Sequence, residues 1–420
     1  MGMNGRLAAI LAGVAVVATI AVTAASGATR TDPGVTATSI TIGGTFPLTG
    51  VASLYKTIPA AEKAYYDYVN DTQGGVNGRK INFNILDDSY DPSKTVPLAQ
   101  QLVSQDKVFA AVGSLGTAPG LATWGYYNQN KVPQVLLATG DSYWGFSFKK
   151  YPYTTGWQPD YPGEGKLYGR YIAKNMPTAK IGVLYQNDAF GKNYYAGLRV
   201  GLGAKKELIT DAESYDATST NVTQQILSMK SKGCDTLVIF ALPGQTITAL
   251  VTATKVGWTP SATFLGNVSN NRIFMLAALG AGANLNNVLS TNYVESSTAQ
   301  KNLAGVKLAS SIVAKYAPAL QTSFDNGDAN VMYGLAVAWT FVYALQHSGK
   351  TPTRAKLMKA LHSFNTSKNP FVYPGIKLKT SMTKKSHDNF PIEQEILIKW
   401  TGSGATADFQ PSGKLQGGIR

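Results

Sequence analysis

Three loops bearing glycines and hydroxyls are the parts of this chain best suited to chemistry. Each follows an apolar run and precedes a helix-like run: Pro47-Leu48-Thr49-Gly50 after Ile40–Phe46, the segment GSLGTAPG (113–120) after Val108–Val112, and Ala138-Thr139-Gly140 after Val132–Leu137. In a parallel βαβ sheet, loops leaving the carboxyl ends of the strands gather on one edge, where ligands bind at the switch in strand order. Glycine lets a backbone come close to a ligand. Helix amino-termini add unpaired N–H groups and partial positive charge, which suit a carboxylate. The chemistry expected is recognition of a small acidic molecule.

Catalytic signals are weak beside these loops. His347, His362 and His387 lie in helix-end or loop contexts without nucleophile or metal-ligand spacing. Gly349-Lys350-Thr351 superficially resembles a phosphate loop, but Ala344 stands at the first-glycine position and a helix precedes it. No G-x-S-x-G elbow is present. The chain is therefore read as a binding protein, not an enzyme, with neither cofactor nor metal. Asp87-Asp88 could form an acid pair or a metal site, but a strand end before Ser89-Tyr90-Asp91-Pro92 points to a capped turn.

The elements that must position the loops alternate along the chain. Ile40–Phe46 reads as a strand, Pro59–Asn70 as a helix, Lys80–Leu86 as a strand and Ser93–Gln105 as a helix. Strands at 108–112 and 132–137 flank a helix reaching about Asn128. After an aromatic-rich crossing, the plan repeats: helix Glu164–Asn175, strand Lys180–Tyr185, helices Gly191–Gly203 and Thr218–Lys232, strand Thr236–Phe240, helix Thr246–Val256 and strand Thr263–Leu265. Strand Val288–Tyr293, a helix near Gln300–Tyr316, a long apolar helix Ala329–Gln346, a short helix Thr353–Leu361 and an edge strand Glu393–Trp400 complete it. Two α/β units of similar plan predict two lobes around one cleft. The Gly/Ser/Ala-rich tail after Thr401 is expected to be disordered.

The envelope of the chain is that of an exported protein. At 420 residues and 44% hydrophobic it has the length for two domains. Arg6, an uncharged apolar run from Leu7 to Val22 and the small residues up to Ala28 follow the order of a secretory signal, so 1–28 is read as a leader cleaved after Ala28. Retention of the run as a membrane anchor is the other reading. The net charge of +14, or +13 once Arg6 is removed with the leader, is spread over the chain, with patches at Lys149-Lys150 and at Lys377, Lys379, Lys384 and Lys385. Without an aromatic-basic module this suits a solvated cationic surface in the envelope and not a nucleic-acid partner. Cys234, the sole cysteine, precedes an apolar strand and reads as a small buried residue.

The segments ITIGGTFPLTG (40–50), GGVNGRKINFNILDDSYDP (74–92), AAVGSLGTAPG (110–120), VPQVLLATG (132–140), GWQPDY (156–161), IGVLYQNDAFGKNYYAGL (181–198), GCDTLVIFALPG (233–244) and FPIEQEILIKW (390–400) carry a resemblance. In order and spacing they resemble the type I solute-binding proteins of ABC importers, the branched-chain amino-acid-binding kind. The resemblance implies two Rossmann-like lobes joined by three crossings, near Gly156–Trp157, Asn292–Tyr293 and Ile376–Lys377, which trap a ligand as they close. It places residues 38–156 with 293–376 in the first lobe, 157–292 with 377–402 in the second, and 403–420 in a flexible tail. A small-molecule ligand and an ABC permease are the partners it implies. A receptor role in signalling is the alternative.

Carried over position by position, the resemblance puts Tyr55 on the ligand as an aromatic contact, Thr117 on its carboxylate, Ala138 and Gly140 on carboxylate and ammonium, and Phe190 on the second-lobe side. Thr117 could equally serve as a helix N-cap, Tyr55 as a surface aromatic, and Trp157 as crossover packing beside Gln158. Gly140 lacks the hydroxyl usual there, which Thr139 could supply. Two departures bear on the ligand. Val268 takes the place of the glutamate that pairs with an amino acid's ammonium, and Leu242 replaces a tyrosine. A buried ammonium without a carboxylate partner is strongly disfavoured. The expected ligand is thus a small organic acid, aromatic acids included, or an amino-acid-like molecule, with Phe190, Leu242 and Val268 as an apolar wall. Asp188 is either a replacement carboxylate or a helix cap.

Overall fold

A computed structural model describes residues 31–382 and 387–416. The expected leader and Lys384 and Lys385 lie outside the described residues. Ten strands are β1 (Ser39–Phe46), β2 (Lys80–Asp87), β3 (Ala111–Val112), β4 (Gln134–Leu137), β5 (Thr154–Gly156), β6 (Ile181–Gln186), β7 (Ile209–Tyr215), β8 (Thr236–Phe240), β9 (Ala262–Leu265) and β10 (Val288–Asn292). Two short antiparallel pairs follow, β11 (Asn365–Thr366) with β12 (Leu378–Lys379) and β13 (Ser381–Met382) with β14 (His387–Asp388). The chain then gives β15 (Glu395–Thr401) and β16 (Asp408–Gln416).

The first sheet has the order β2-β1-β3-β4-β5 and is parallel throughout. The second has the order β16-β15-β10-β9-β8-β6-β7, with β15 and β16 antiparallel to their neighbours. Strands such as β4 and β8 are buried along their whole length, as expected where helices cover both faces of a parallel sheet. Each sheet reverses its order once, between β1 and β3 and between β6 and β8, and a reversal is where ligand-holding loops diverge.

Helices α1 (Thr57–Thr72), α2 (Pro92–Gln100), α3 (Thr117–Gln129) and the single turn α4 (Tyr143–Phe146) connect the first sheet. Helices α5 (Tyr161–Asn175), α6 (Ala189–Leu202), α7 (Thr223–Ser231), α8 (Pro243–Lys255) and α9 (Arg272–Gly280) serve the second. The chain then returns through α10 (Ala304–Tyr316), α11 (Gln321–Asp325), the apolar α12 (Ala329–Gln346), which packs on α1, and α13 (Arg354–Leu361). The result is two Rossmann-like lobes joined by three crossings. Helices α5 and α6 meet backbone to backbone: a Cβ added at Gly169 would lie 2.3 Å from the Leu198 carbonyl, and one at Gly197 would lie 2.1 Å from that of Pro162.

Four expectations are corrected. Within the tail expected to be disordered, Asp408–Gln416 forms a strand on β15, so β15 is no edge. The last crossing is not at Ile376–Lys377. Thr380 Oγ1 donates to the Leu361 carbonyl at 2.7 Å, Asn389 Nδ2 donates to that of Trp144 at 3.1 Å, and Phe390 packs with Leu137 and Trp144 in the first lobe. The chain reaches the second sheet only at Glu395, and the anchor is Phe390, seated where Gly145 and Gly156 leave room for its ring. The helix expected over Thr218–Lys232 begins at Thr223. Strand β7, in ITDAESY, was not expected, since its polar residues belong to the outermost strand of the sheet. Cys234 is buried as expected, and burial pushes its thiol up to about 11.

Candidate functional site

A cavity lies between the carboxyl edges of the two sheets. Tyr55, Thr117, Ala138, Phe190, Leu242 and Val268 line it, together with Gln158. Trp157 does not; it is fully buried and donates from Nε1 to Thr340 Oγ1 at 3.0 Å, the crossover packing that was its other reading. Thr139 and Gly140 are not lining residues either. Thr139 stands one layer behind, its hydroxyl 2.6 Å from that of Thr117, and the Tyr161 hydroxyl bonds to it as well. Gly140 gives Tyr161 its position, since a Cβ there would fall 2.8 Å from the ring.

Of the three loops, only two face the cavity. Pro47–Gly50 is instead held by Asp87: Oδ1 accepts from Leu48 N at 3.0 Å and Thr49 N at 3.2 Å, and Oδ2 accepts from Thr49 Oγ1 at 2.6 Å. Asp87 and Asp88 are thus turn-holding residues, and no metal-holding cluster occurs among the described residues. Their second task is more consequential. Asp87 accepts from Ser89 N and Asp88 from Tyr90 N, both at 2.9 Å, which fixes two consecutive left-handed residues with φ of 53° and 63°. Such a conformation is strained for tyrosine, and it sends the Tyr90 ring into the cavity beside Gly116, where a Cβ would lie 2.6 Å from it. Burial pushes the Asp88 carboxyl up to about 6.

Thr117 opens α3, but Gly116 is the capping residue, with φ of 110°, so the threonine is no N-cap. Thr117 lines the cavity from the first lobe, at the partly positive amino-terminus of α3. Tyr55 is buried, not a surface aromatic, and its hydroxyl donates to the Val268 carbonyl across the cleft at 3.0 Å. Further bonds join the lobes: Asn271 Nδ2 donates to Asp328 Oδ1 at 2.6 Å, Asn193 Nδ2 donates to Asp141 Oδ2 at 3.1 Å, and Ser142 Oγ donates to Asn193 Oδ1 at 2.9 Å. Asp188 caps α6 through Gly191 N and does not line the cavity.

The second-lobe wall is not the apolar surface expected. Asn267, Asn270, Asn271 and Asn292 stand among Phe190, Leu242 and Val268. These amides sit on the short helical turn Asn267–Ser269 and at the ends of β10 and α9, positions that an apolar-run reading passes over. Tyr90, Tyr161, Tyr293 and Tyr333 complete the rim and floor. Only the length of GWQPDY pointed to Tyr161, and nothing in the sequence singled out Tyr90, because a left-handed tyrosine leaves no local signature. No Asp, Glu, Lys, Arg or His is among the lining residues. An ion entering this cavity meets hydroxyls, amides and rings but no counter-charge.

Residues 39–401 match the family described as periplasmic binding protein. The Leu/Ile/Val-binding protein homolog 3 of Brucella melitensis is 25% identical over 327 residues, 77% of this chain and 83% of that protein. Among solved structures, a fatty acid ABC transporter substrate-binding protein from Thermomonospora curvata superposes with a TM-score of 0.76 at 20% identity, covering 91% of this chain and 94% of the other. A solute-binding protein of an ABC transporter from Rhodopseudomonas palustris, in complex with 3,4-dihydroxy benzoic acid, gives 0.73 at 20%, with 90% and 98% covered. The chain belongs to the periplasmic binding protein family, with the type I fold of its Leu/Ile/Val-binding members.

Proposed function

We propose that this protein is exported, captures a small organic acid or related compound without a free ammonium group, and delivers it to an ABC permease. The observation that carries the reading is the cavity between two lobes, with no charged side chain among its described lining residues, the amino-terminus of α3 on one side and no carboxylate on the other. Family membership and the extracytoplasmic role of such proteins support export. Closure follows from differential affinity: a solute that contacts both walls favours the closed arrangement by the difference in its affinity for the two. The test is a thermal-shift screen of aromatic acids, aliphatic acids, amides and amino acids. A solute at about 100 times its Kd is expected to stabilise the fold by roughly 2.7 kcal/mol, and a screen blank for all four classes counts against solute capture.

Two substitutions probe the walls. Thr117→Val removes a donor to a charged oxygen and is expected to weaken acid binding by about 1–3 kcal/mol with the fold intact. Calorimetry decides it, and unchanged affinity takes Thr117 out of the site. Val268→Glu is expected to narrow or reverse a preference for phenylpropanoate over phenylalanine, because it supplies the missing partner for an ammonium. Tighter binding of leucine or valine by the unaltered protein than of every des-amino acid would sink the proposed ligand class.

A further inference from the structure

Two buried amide atoms on the cavity wall have no partner: Gln158 Nε2, a donor, and Asn267 Oδ1, an acceptor. Both residues are more than nine-tenths buried, at 3% and 6% exposure. Unpaired amide atoms in such a place are costly, so each is a position where a bound solute gains. The remaining groups of Asn267 are taken. Its backbone N–H donates to Glu164 Oε1 at 2.7 Å, and its Nδ2 donates to Glu395 Oε1 at 2.9 Å. Those two carboxyls lie behind the wall, fully buried, and are fixed by Tyr168 and Tyr194 on Glu164 and by Thr291 on Glu395.

We infer that the second lobe reads a neutral hydrogen-bond donor on the solute, a hydroxyl or an amide N–H, through Asn267 Oδ1, with Glu164 and Glu395 as positioning residues that hold the asparagine in that pose. The inference rests on the solute-binding reading above. Burial raises both carboxyls, and their mutual repulsion raises Glu395 further, so the pair keeps a proton at neutral pH and supplies no full counter-charge to an ammonium. On the facing side, Gln158 Nε2 and Thr117 at the partly positive amino-terminus of α3 suit a carboxylate. A molecule with a carboxylate and a neighbouring hydroxyl satisfies both walls. The amino acid of the same skeleton does not.

The probes are phenyllactate, phenylpyruvate, phenylpropanoate and phenylalanine, which differ only in the group beside the carboxylate: a donor hydroxyl, an acceptor carbonyl, neither, or an ammonium. Phenyllactate is expected to bind about tenfold tighter than the other acids, the usual consequence of pairing or orphaning one buried polar atom. Asn267→Leu should bring the lactate-to-propanoate ratio to within about twofold, whatever it does to the affinity for either acid alone. Glu395→Gln retains the acceptor for Asn267 Nδ2 and should preserve the ratio, whereas Glu395→Leu should abolish it. That split is a readout that mere loss of packing would not produce. The inference is overturned if phenylpyruvate, phenylpropanoate or phenylalanine binds as tightly as phenyllactate, or if Asn267→Leu leaves the ratio unchanged. Such results leave solute capture standing. A series in which nothing binds, with the wider screen also blank, removes solute capture itself.

Discussion

Gly197→Val is expected to destabilise the protein by more than about 3 kcal/mol, more than overpacking usually costs, because the clash is with backbone. Gly165 and Gly169 on α5 face Gly197 and Gly201 on α6, each pair four residues apart and so on one helix face. An added Cβ would stand 2.3 Å from the Tyr194 carbonyl at Gly165, 2.3 Å from Leu198 at Gly169, 2.1 Å from Pro162 at Gly197 and 2.2 Å from Lys166 at Gly201. No rotamer change relieves contacts of this kind. The helices would have to separate, pulling Phe190 and Asn193 away from the cleft. Denaturant unfolding of wild type and variant measures the loss, and a change below about 1 kcal/mol would show that the helix pair yields more easily than dense interiors do.

Raising the pH from 5 to 8 is expected to lower the melting temperature by at least ~5 °C, given roughly 2–4 °C per kcal/mol for domains of 150–250 residues. Glu62 is wholly buried, neither carboxyl oxygen has a partner, and burial raises its pKa well above the usual range. Burial also raises Glu164 and Glu395, and takes Glu295 up to about 7. A carboxyl raised by folding keeps a proton that the unfolded chain releases above about 4.3, so unfolding sheds protons and becomes easier as the pH rises toward the folded value. Asp88 and Asp141, each pushed to about 6 by burial, lose their contribution mostly below that pH. His362, driven down to about 4 by burial, acts oppositely, since its unfolded form binds a proton below about 6.5. Four raised glutamates outweigh it across this window. Glu62→Gln should flatten the dependence. A melting temperature that is level or rises between pH 5 and 8 contradicts the assignment.

The alternation of apolar runs made the two sheets legible, because strands covered on both faces are buried at every position and mostly apolar, as in β4 and β8. Elements at the margins were not. Strand β16 is largely exposed and contains Pro411 and Gly413, so its composition reads as a tail; only the open flank of β15 makes it a strand. The last crossing was misplaced because Phe390 holds its segment in the first lobe through contacts distant in sequence. At the cavity, residues directly following strands were readable: Thr117, Phe190 and Leu242 all lie on its wall. Asn267 sits beside the noted Val268, yet its importance depends on Glu164 and Glu395, 103 and 128 residues away.

The bonds that span the cleft, among them Tyr55 to Val268, Asn271 to Asp328, Asn193 to Asp141 and Ser142 to Asn193, join protein to protein. They favour closure equally for every solute, so they lengthen residence without improving choice. At about 1 kcal/mol each, any three of them together slow escape by roughly a hundredfold. Opening must break those bonds whichever solute is held. Release, more than capture, is then the slower step.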